Sequence, residues 1–103
     1  MNKDQLFAQL KEQHPEWSDE QIWTQVSVML SADKAISQNP QAQPTDVDFI
    51  RVILYKAQEW LQDNLPEIFD RVADFLNLLI SRLPEWAKNG IQFVGILIAK
   101  YLK

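Results

Sequence analysis

A short motif that typically begins helices occurs twice in the C-terminal part of this chain. The motif is Leu65-Pro66-Glu67 in its first copy and Leu83-Pro84-Glu85 in its second, 18 residues later. Proline is favoured in the first turn of a helix, because its fixed φ suits the helix and its missing N–H is not needed there. Eighteen residues are about five helical turns, so matching side chains project at the same rotation about the axis. The repeat predicts two Pro-started apolar helices of equal length, which indicates packing surfaces rather than a chemical site.

Composition places the chain among ordinary globular proteins. Its 103 residues suffice for one domain, and 47% of them are hydrophobic while 23% are charged. Cysteine is absent, which excludes disulfides, thiolate nucleophiles and Cys-ligated zinc. The N-terminus lacks the apolar stretch of a signal peptide, and the apolar run from Phe93 to Ala99 is far shorter than the roughly 20 residues that span a bilayer. We therefore expect a soluble cytoplasmic protein, with peripheral attachment to a membrane as the alternative.

A polar segment with two prolines divides the sequence. Residues 38–44 include Pro40 and Pro44, which deny a helix its N–H donors, and they predict a linker between an N-terminal piece, 1–37, and a C-terminal piece, 45–103. The N-terminal piece predicts two helices. The first spans about 3–13 and ends before Pro15. The second begins after Ser18, which forms a capping box with Gln21 three positions later.

The C-terminal piece predicts three helices of similar length with very short connections. Thr45 is the predicted N-cap of the first, Pro66 begins the second and Pro84 begins the third. Three such helices fold most simply as an up-down-up bundle over about 45–102. The predicted fold is therefore all-α, with a two-helix N-terminal segment before this bundle. Asn89-Gly90 is a turn dipeptide, and it marks the place where the last helix is expected to break if it breaks at all.

The last predicted helix has apolar residues on every side. Outside its core face it carries Phe93, Ile96 and Leu102, and few polar residues follow Gly90. A helix that is apolar all round is normally covered all round, and a three-helix bundle cannot cover every side of one member. Three kinds of contact could cover the remaining apolar sides of this helix: the N-terminal helices, another protein or a second copy of the chain, and a lipid surface.

Side chains that could carry out catalysis are scarce. His14 is the only histidine and precedes a proline in a predicted loop, so Ser-His-Asp and Cys-His arrangements lack their parts. Glu67, Asp70 and Asp74 follow a helical spacing, but Arg71 adjoins them and Asp70 and Asp74 lie opposite the apolar face, which indicates a solvated surface. Neither of the two glycines belongs to a phosphate-binding loop. We expect a protein that is not an enzyme and has no catalytic, metal or cofactor site.

Charge is distributed unevenly along the chain. Residues 1–44 carry three lysines and six acidic residues, whereas residues 86–103 carry Lys88, Lys100 and Lys103 and no acidic residue. The net charge of −4 and the lack of a basic stripe argue against nucleic acid as a partner. The three lysines instead favour an anionic membrane surface, on which the helices of 65–102 would insert their apolar faces.

The favoured hypothesis is a non-enzymatic helical interaction module. It self-associates or binds a partner protein through its apolar C-terminal helix. The candidate contact residues on that helix are Phe93, Ile96, Tyr101 and Leu102. Trp23 is a separate candidate, because it lies off the apolar line of its own helix and tryptophan is common at binding hot spots. The alternative is a peripheral membrane protein with Lys88, Lys100 and Lys103 as its lipid contacts.

Overall fold

Six α-helices and one turn of 3-10 helix form the regular structure of residues 2–102, which are the residues that the computed structural model describes. The helices are α1 (Lys3–Gln13), α2 (Asp19–Gln38), α3 (Val47–Asn64), α4 (Pro66–Ser81), α5 (Leu83–Trp86) and α6 (Phe93–Tyr101), and the 3-10 turn spans Ala87–Asn89. Over this range the chain contains no strand, and the prediction of an all-α fold is confirmed.

The start of α2 is set by the capping box. The backbone N–H of Gln21 donates to Ser18 Oγ at 3.2 Å, and the backbone N–H of Ser18 donates to Gln21 Oε1 at 2.7 Å. These bonds satisfy two N–H groups that a helix start leaves without partners. α1 ends at Gln13, because His14 precedes a proline and is pushed out of the helical region. Both boundaries are as predicted.

The N-cap of α3 is Asp46 rather than the predicted Thr45. The Asp46 carboxylate accepts from the backbone N–H groups of Asp48 and Phe49, at 3.0 and 3.3 Å. A carboxylate at this position also interacts favourably with the positive end of the helix dipole, which a hydroxyl does less well. α4 begins at Pro66 as predicted.

The second copy of the repeated motif does not begin a long helix. α5 contains Pro84 but ends at Trp86, and the chain then passes through the 3-10 turn to Gly90. Gly90 has a φ of 86°, which residues with a side chain rarely adopt and which ends a helix. The predicted equal length of the two Pro-started helices is therefore wrong. The α-helix ends at Trp86, and the 3-10 turn that follows ends at the dipeptide Asn89-Gly90.

One core extends through both halves of the chain. α2 packs extensively on α3, α3 packs on α4, and α6 packs chiefly on α2. Ile22 and Val26 of α2 are fully buried, and so are Val94 and Ile98 of α6. The N-terminal helices therefore dock on the rest and cover one side of α6. The up-down-up topology predicted for 45–102 is not confirmed, since α6 lies mainly on α2, and the division of the chain at 38–44 stays a prediction.

The side chain of Gln21 ties the start of α2 to the end of α6. Its Nε2 donates to the carbonyl oxygen of Leu102 at 2.6 Å and to that of Ile98 at 3.3 Å. The Ile98 carbonyl also accepts from the backbone N–H of Leu102 at 3.1 Å, whereas the Leu102 carbonyl lies past the end of the helix, so the outside donor satisfies it. Gln21 is buried, with 8% of its surface exposed, and its amide thus serves both helices at once.

An ion pair joins α2 to α4. Arg71 Nη1 lies 2.6 Å from Glu20 Oε1, although the residues are 51 positions apart. A hydrogen bond from its own backbone N–H, and then the bond from Arg71, lower the pKa of the Glu20 carboxyl. A lowered folded-state pKa means that this contribution to stability is present at neutral pH and is lost as the pH falls through that pKa.

Candidate functional site

Two of the surface grooves beside α6 contain residues that were predicted to contact a partner, Tyr101 in one and Ile96 in the other. One groove, here called the α4–α6 groove, lies beside α4 and includes Leu97 and Tyr101 of α6. The other, here called the α1–α6 groove, is lined by residues of α1, α2 and the loop between them, and it includes Ile96 and Ala99 of α6. Because α6 packs chiefly on α2, it leaves the space beside α4 open.

The floor of the α4–α6 groove is apolar. Phe75 and Leu79 come from α4, Trp86 from α5 and Leu97 from α6, and the groove has a volume of about 400 Å³. The indole N–H of Trp86 donates to the carbonyl oxygen of Leu79 at 3.0 Å, so the ring is held in place as part of the wall. A pocket of this size with fixed apolar walls is suited to hold large apolar side chains.

The rim of this groove combines exposed apolar residues with charged ones. Leu78 is 46% exposed and Tyr101 is 59% exposed, and both line the groove. Arg82 and Glu85 also line it, and they form an ion pair with a separation of 3.3 Å. An apolar floor with a polar rim is the usual composition of a protein–protein contact.

The structure places the four predicted contact residues of the last helix in different surroundings. Phe93 is half-buried, and its ring centroid lies 6.5 Å from that of Trp86. Ile96 is 57% exposed and faces the α1–α6 groove, whereas Tyr101 belongs to the α4–α6 groove. Leu102 is buried, with 7% exposure, and offers no surface to a partner in this structure. The structure therefore does not bring these residues together into one patch.

Trp23 lies in an aromatic group that links three helices. Its ring centroid is 4.5 Å from that of Phe7 in α1 and 6.5 Å from that of Trp60 in α3. The ammonium of Lys3 lies 5.9 Å from the same ring. Aromatic pairs at these distances stabilise packing beyond the area that they bury. In this structure the half-buried Trp23 therefore holds α1 and α3 against α2.

The lysines predicted to contact lipid are exposed where the structure describes them. Lys88 and Lys100 are both on the surface, while Lys103 lies outside the described residues. The Lys100 ammonium lies 5.3 Å from the ring centroid of Tyr101, which places a positive charge next to the α4–α6 groove. Among residues 2–102 we find no ion pair that includes Lys88 or Lys100. Within the same range, every helix is too short or too polar to cross a membrane.

His14 packs against an aromatic side chain. Its ring stacks on that of Trp17, with centroids 4.0 Å apart and an interplanar angle of 11°. Its Nδ1 lies 3.6 Å from a carboxylate oxygen of Glu16. These contacts position the loop between α1 and α2, which forms one wall of the α1–α6 groove.

The acidic residues of α4 are exposed, as their spacing predicted. Glu67, Asp70 and Asp74 all lie on the surface of the helix. Across the part of the chain that the structure describes, we find no group of three or more His, Cys, Asp or Glu side chains that could hold a metal ion.

Sequence reasoning missed the residues that complete the α4–α6 groove. Leu78 was not predicted as a contact residue, although three consecutive large apolar residues, Leu78-Leu79-Ile80, exceed what one face of a helix can bury. That excess is a signal in the sequence. The role of Trp86 in the wall has no such signal, because it depends on the break after α5.

Comparison with known protein families, curated proteins and solved structures finds no match for this chain. The shape and the chemistry of the two grooves are therefore the basis for a functional assignment.

Proposed function

We propose that this protein is a non-enzymatic interaction module that binds a helix of a partner protein in the α4–α6 groove. The observation that carries the proposal is the position of two half-exposed side chains, Leu78 and Tyr101, beside a fixed apolar floor. Exposed apolar side chains are common when they are scattered, but next to an apolar concavity they mark interaction sites.

A helix is the occupant that best fits a groove between two helices. An amphipathic helix inserts large apolar side chains, spaced three and four residues apart, into such a groove and leaves its polar face in solvent. The floor formed by Phe75, Leu79 and Leu97 is suited to receive such side chains. Trp86 supplies a fixed aromatic surface in the floor and Tyr101 an exposed one at the rim, and both residue types are enriched at interfaces.

The membrane alternative requires the folded core to open. Insertion of the helices in 65–102 would expose Val72, Leu76 and Ile98, all of which are fully buried. Fully burying one such side chain stabilises the fold by about 1.5–3 kcal/mol, and this contribution would have to be recovered in the lipid. The folded chain favours the partner helix because its groove is concave, whereas a bilayer contacts a protruding surface.

Site-specific photocrosslinking in the source cells tests the proposal. A benzophenone amino acid replaces Leu78 in one variant and Val52 in its control, since both residues are 46% exposed and Val52 does not line the groove. A second matched pair places it at Tyr101, which is 59% exposed, and at Tyr55, which is 50% exposed. We expect one predominant protein adduct from positions 78 and 101 and none from 52 and 55.

The products also separate the competing partners. An adduct of twice the mass of the chain, obtained from the purified protein alone, identifies a second copy as the partner. Equal adduct yields at the groove and control positions would show that the groove has no special role. Flotation of the full-length protein with anionic vesicles, reversed by salt, would favour the membrane alternative instead.

A further inference from the structure

We infer that the helix bound in the α4–α6 groove carries acidic residues on the side that faces the groove rim, an inference that rests on the proposed function of this groove. Residues 82–102 contain Arg82, Lys88 and Lys100 against a single acidic residue, Glu85, a net charge of +2. This segment supplies Arg82, Glu85, Trp86, Leu97 and Tyr101 to the groove. Arg82 and Glu85 balance each other in the lining, so the excess positive charge of this segment lies at Lys88 and Lys100, of which Lys100 is next to the groove residue Tyr101.

The positive charges of this segment are available to a ligand. Glu85 is engaged by Arg82 at 3.3 Å, so that pair is neutralised internally. Lys88 and Lys100 are exposed, and within the described residues they have no acidic partner. Lys88 follows Trp86 by two residues, and Lys100 lies over the ring of Tyr101. The flexible ammonium of Lys100 can therefore reach a carboxylate on a helix that occupies the groove, and Lys88 adds positive charge to the same segment.

The rest of the molecule has the opposite charge. Residues 1–81 carry six basic and thirteen acidic residues, so an acidic ligand is repelled from most of the surface and attracted to this segment. Asp74, one turn before Leu78 on α4, is an exposed acidic residue close to the groove. The carboxylates of the bound helix therefore belong on the side of Lys100 and away from Asp74.

An acidic helix fits these features better than an anionic bilayer does. Both would be attracted to the lysines, but the apolar surface next to Lys100 is a groove with a floor of buried or half-buried side chains. A flat bilayer surface cannot enter a groove of about 400 Å³, whereas the side chains of a helix can.

A series of synthetic peptides tests the inference with the full-length protein. Three fluorescent peptides, each about five helical turns long, share one Leu/Ala face and carry Glu, Gln or Lys on the polar face. Fluorescence anisotropy at low ionic strength gives their dissociation constants. We expect the Glu peptide to bind about tenfold more tightly than the Lys peptide, and we expect roughly 1 M salt to remove most of this difference.

Two double variants show which lysines are responsible. Lys88→Gln with Lys100→Gln should remove most of the preference for the Glu peptide. Lys34→Gln with Lys56→Gln makes the same change in net charge on α2 and α3 and should leave the preference intact. Circular dichroism verifies that both variants keep the helical content of the parent.

The outcomes separate this inference from the proposed function. Equal affinity for the three peptides, abolished by Leu78→Asp but not by Val52→Asp, overturns the charge inference and leaves the groove as the binding site. Failure of all three peptides to bind overturns the inference, while the photocrosslinking pairs decide the proposed function independently. Salt-reversible binding to anionic vesicles in the absence of peptide binding also overturns it.

Discussion

Gln21 and Gln25 are the same residue type one turn apart on α2, yet their amides have different surroundings. Gln21 makes three hydrogen bonds, to Ser18, Ile98 and Leu102. The Oε1 of Gln25 is buried and has no hydrogen-bond partner. The cost of removing a polar side chain depends on the partners that it leaves unpaired, so this pair offers an internally controlled comparison.

Replacing Gln21 with Met should destabilise the protein by about 2–4 kcal/mol. The substitution keeps the length of the side chain but leaves the Leu102 carbonyl and the Ser18 N–H without their partner. Gln25→Met, its control, should change the free energy of unfolding by less than about 1 kcal/mol, since Oε1 has no bond to lose. Urea unfolding followed by circular dichroism measures both. Equal effects would show that the bonds from Gln21 to α6 contribute nothing.

Some contacts of Gln21 could be predicted from the sequence and others could not. The capping box was predictable, because Ser18 and Gln21 are three positions apart and the pattern is local. The bonds of Gln21 to the end of α6 were not, because they link residues 77 and 81 positions apart and depend on how α6 packs. The burial of Leu102 also depends on how α6 packs, so the sequence pattern placed this residue on an exposed side of the last helix.

At the scale of elements, the starts of helices were more predictable than their continuation. Pro66 and Pro84 each lie in the first turn of a helix, but only the first copy of the motif leads to a full-length one. Nothing in the matching residues distinguishes the copies. The copies differ at Gly90, whose positive φ turns the chain before α6. The next residue, Ile91, donates its backbone N–H to the carbonyl oxygen of Pro44 at 3.0 Å.

The two glycines should respond in opposite directions to replacement by alanine. Gly90→Ala should destabilise the protein by about 1–3 kcal/mol, because a side chain disfavours a φ of 86°. A Cβ there would also meet the side chain of Gln92, which is flexible and can move, so the backbone strain decides the sign. Gly95 lies within α6, where a Cβ would lie 3.8 Å from Gln25 Oε1, an ordinary contact. Gly95→Ala should therefore stabilise by up to about 1 kcal/mol.

Thermal unfolding of the two variants and of Gly90→Asn measures these effects. Asparagine tolerates positive φ better than alanine, so Gly90→Asn should lose less stability than Gly90→Ala. If both Gly90 variants were as stable as the parent, the turn would not depend on a positive φ, and the break between α5 and α6 would need another cause.

At the scale of the whole molecule, the apolar residues of the last helix divide into those that the rest of the chain covers and those that stay exposed. Val94 and Ile98 are fully buried, and α6 packs chiefly on α2, so the N-terminal segment provides that cover. Ile96 and Tyr101 remain exposed. The excess of apolar residues was predictable from composition and periodicity, whereas the division between internal cover and open surface was not. It follows from the packing of α6 on α2, which the sequence does not encode in any local pattern.

This arrangement predicts that residues 45–103 do not fold alone. Without α2, the fragment would expose the faces of Val94 and Ile98, and α3 would lose the helix on which it packs most extensively. A fragment of about 60 residues also buries a smaller share of its surface on folding than a larger domain does, so its stability is marginal. We expect weak helical circular dichroism and no cooperative unfolding from the fragment, whereas the full chain unfolds in one transition.

Adding a peptide of residues 1–44 to the fragment should restore cooperative folding, because α2 then completes the core. A fragment that unfolds cooperatively by itself, unaffected by that peptide, would instead make residues 45–103 an autonomous domain and residues 38–44 a linker between independent units.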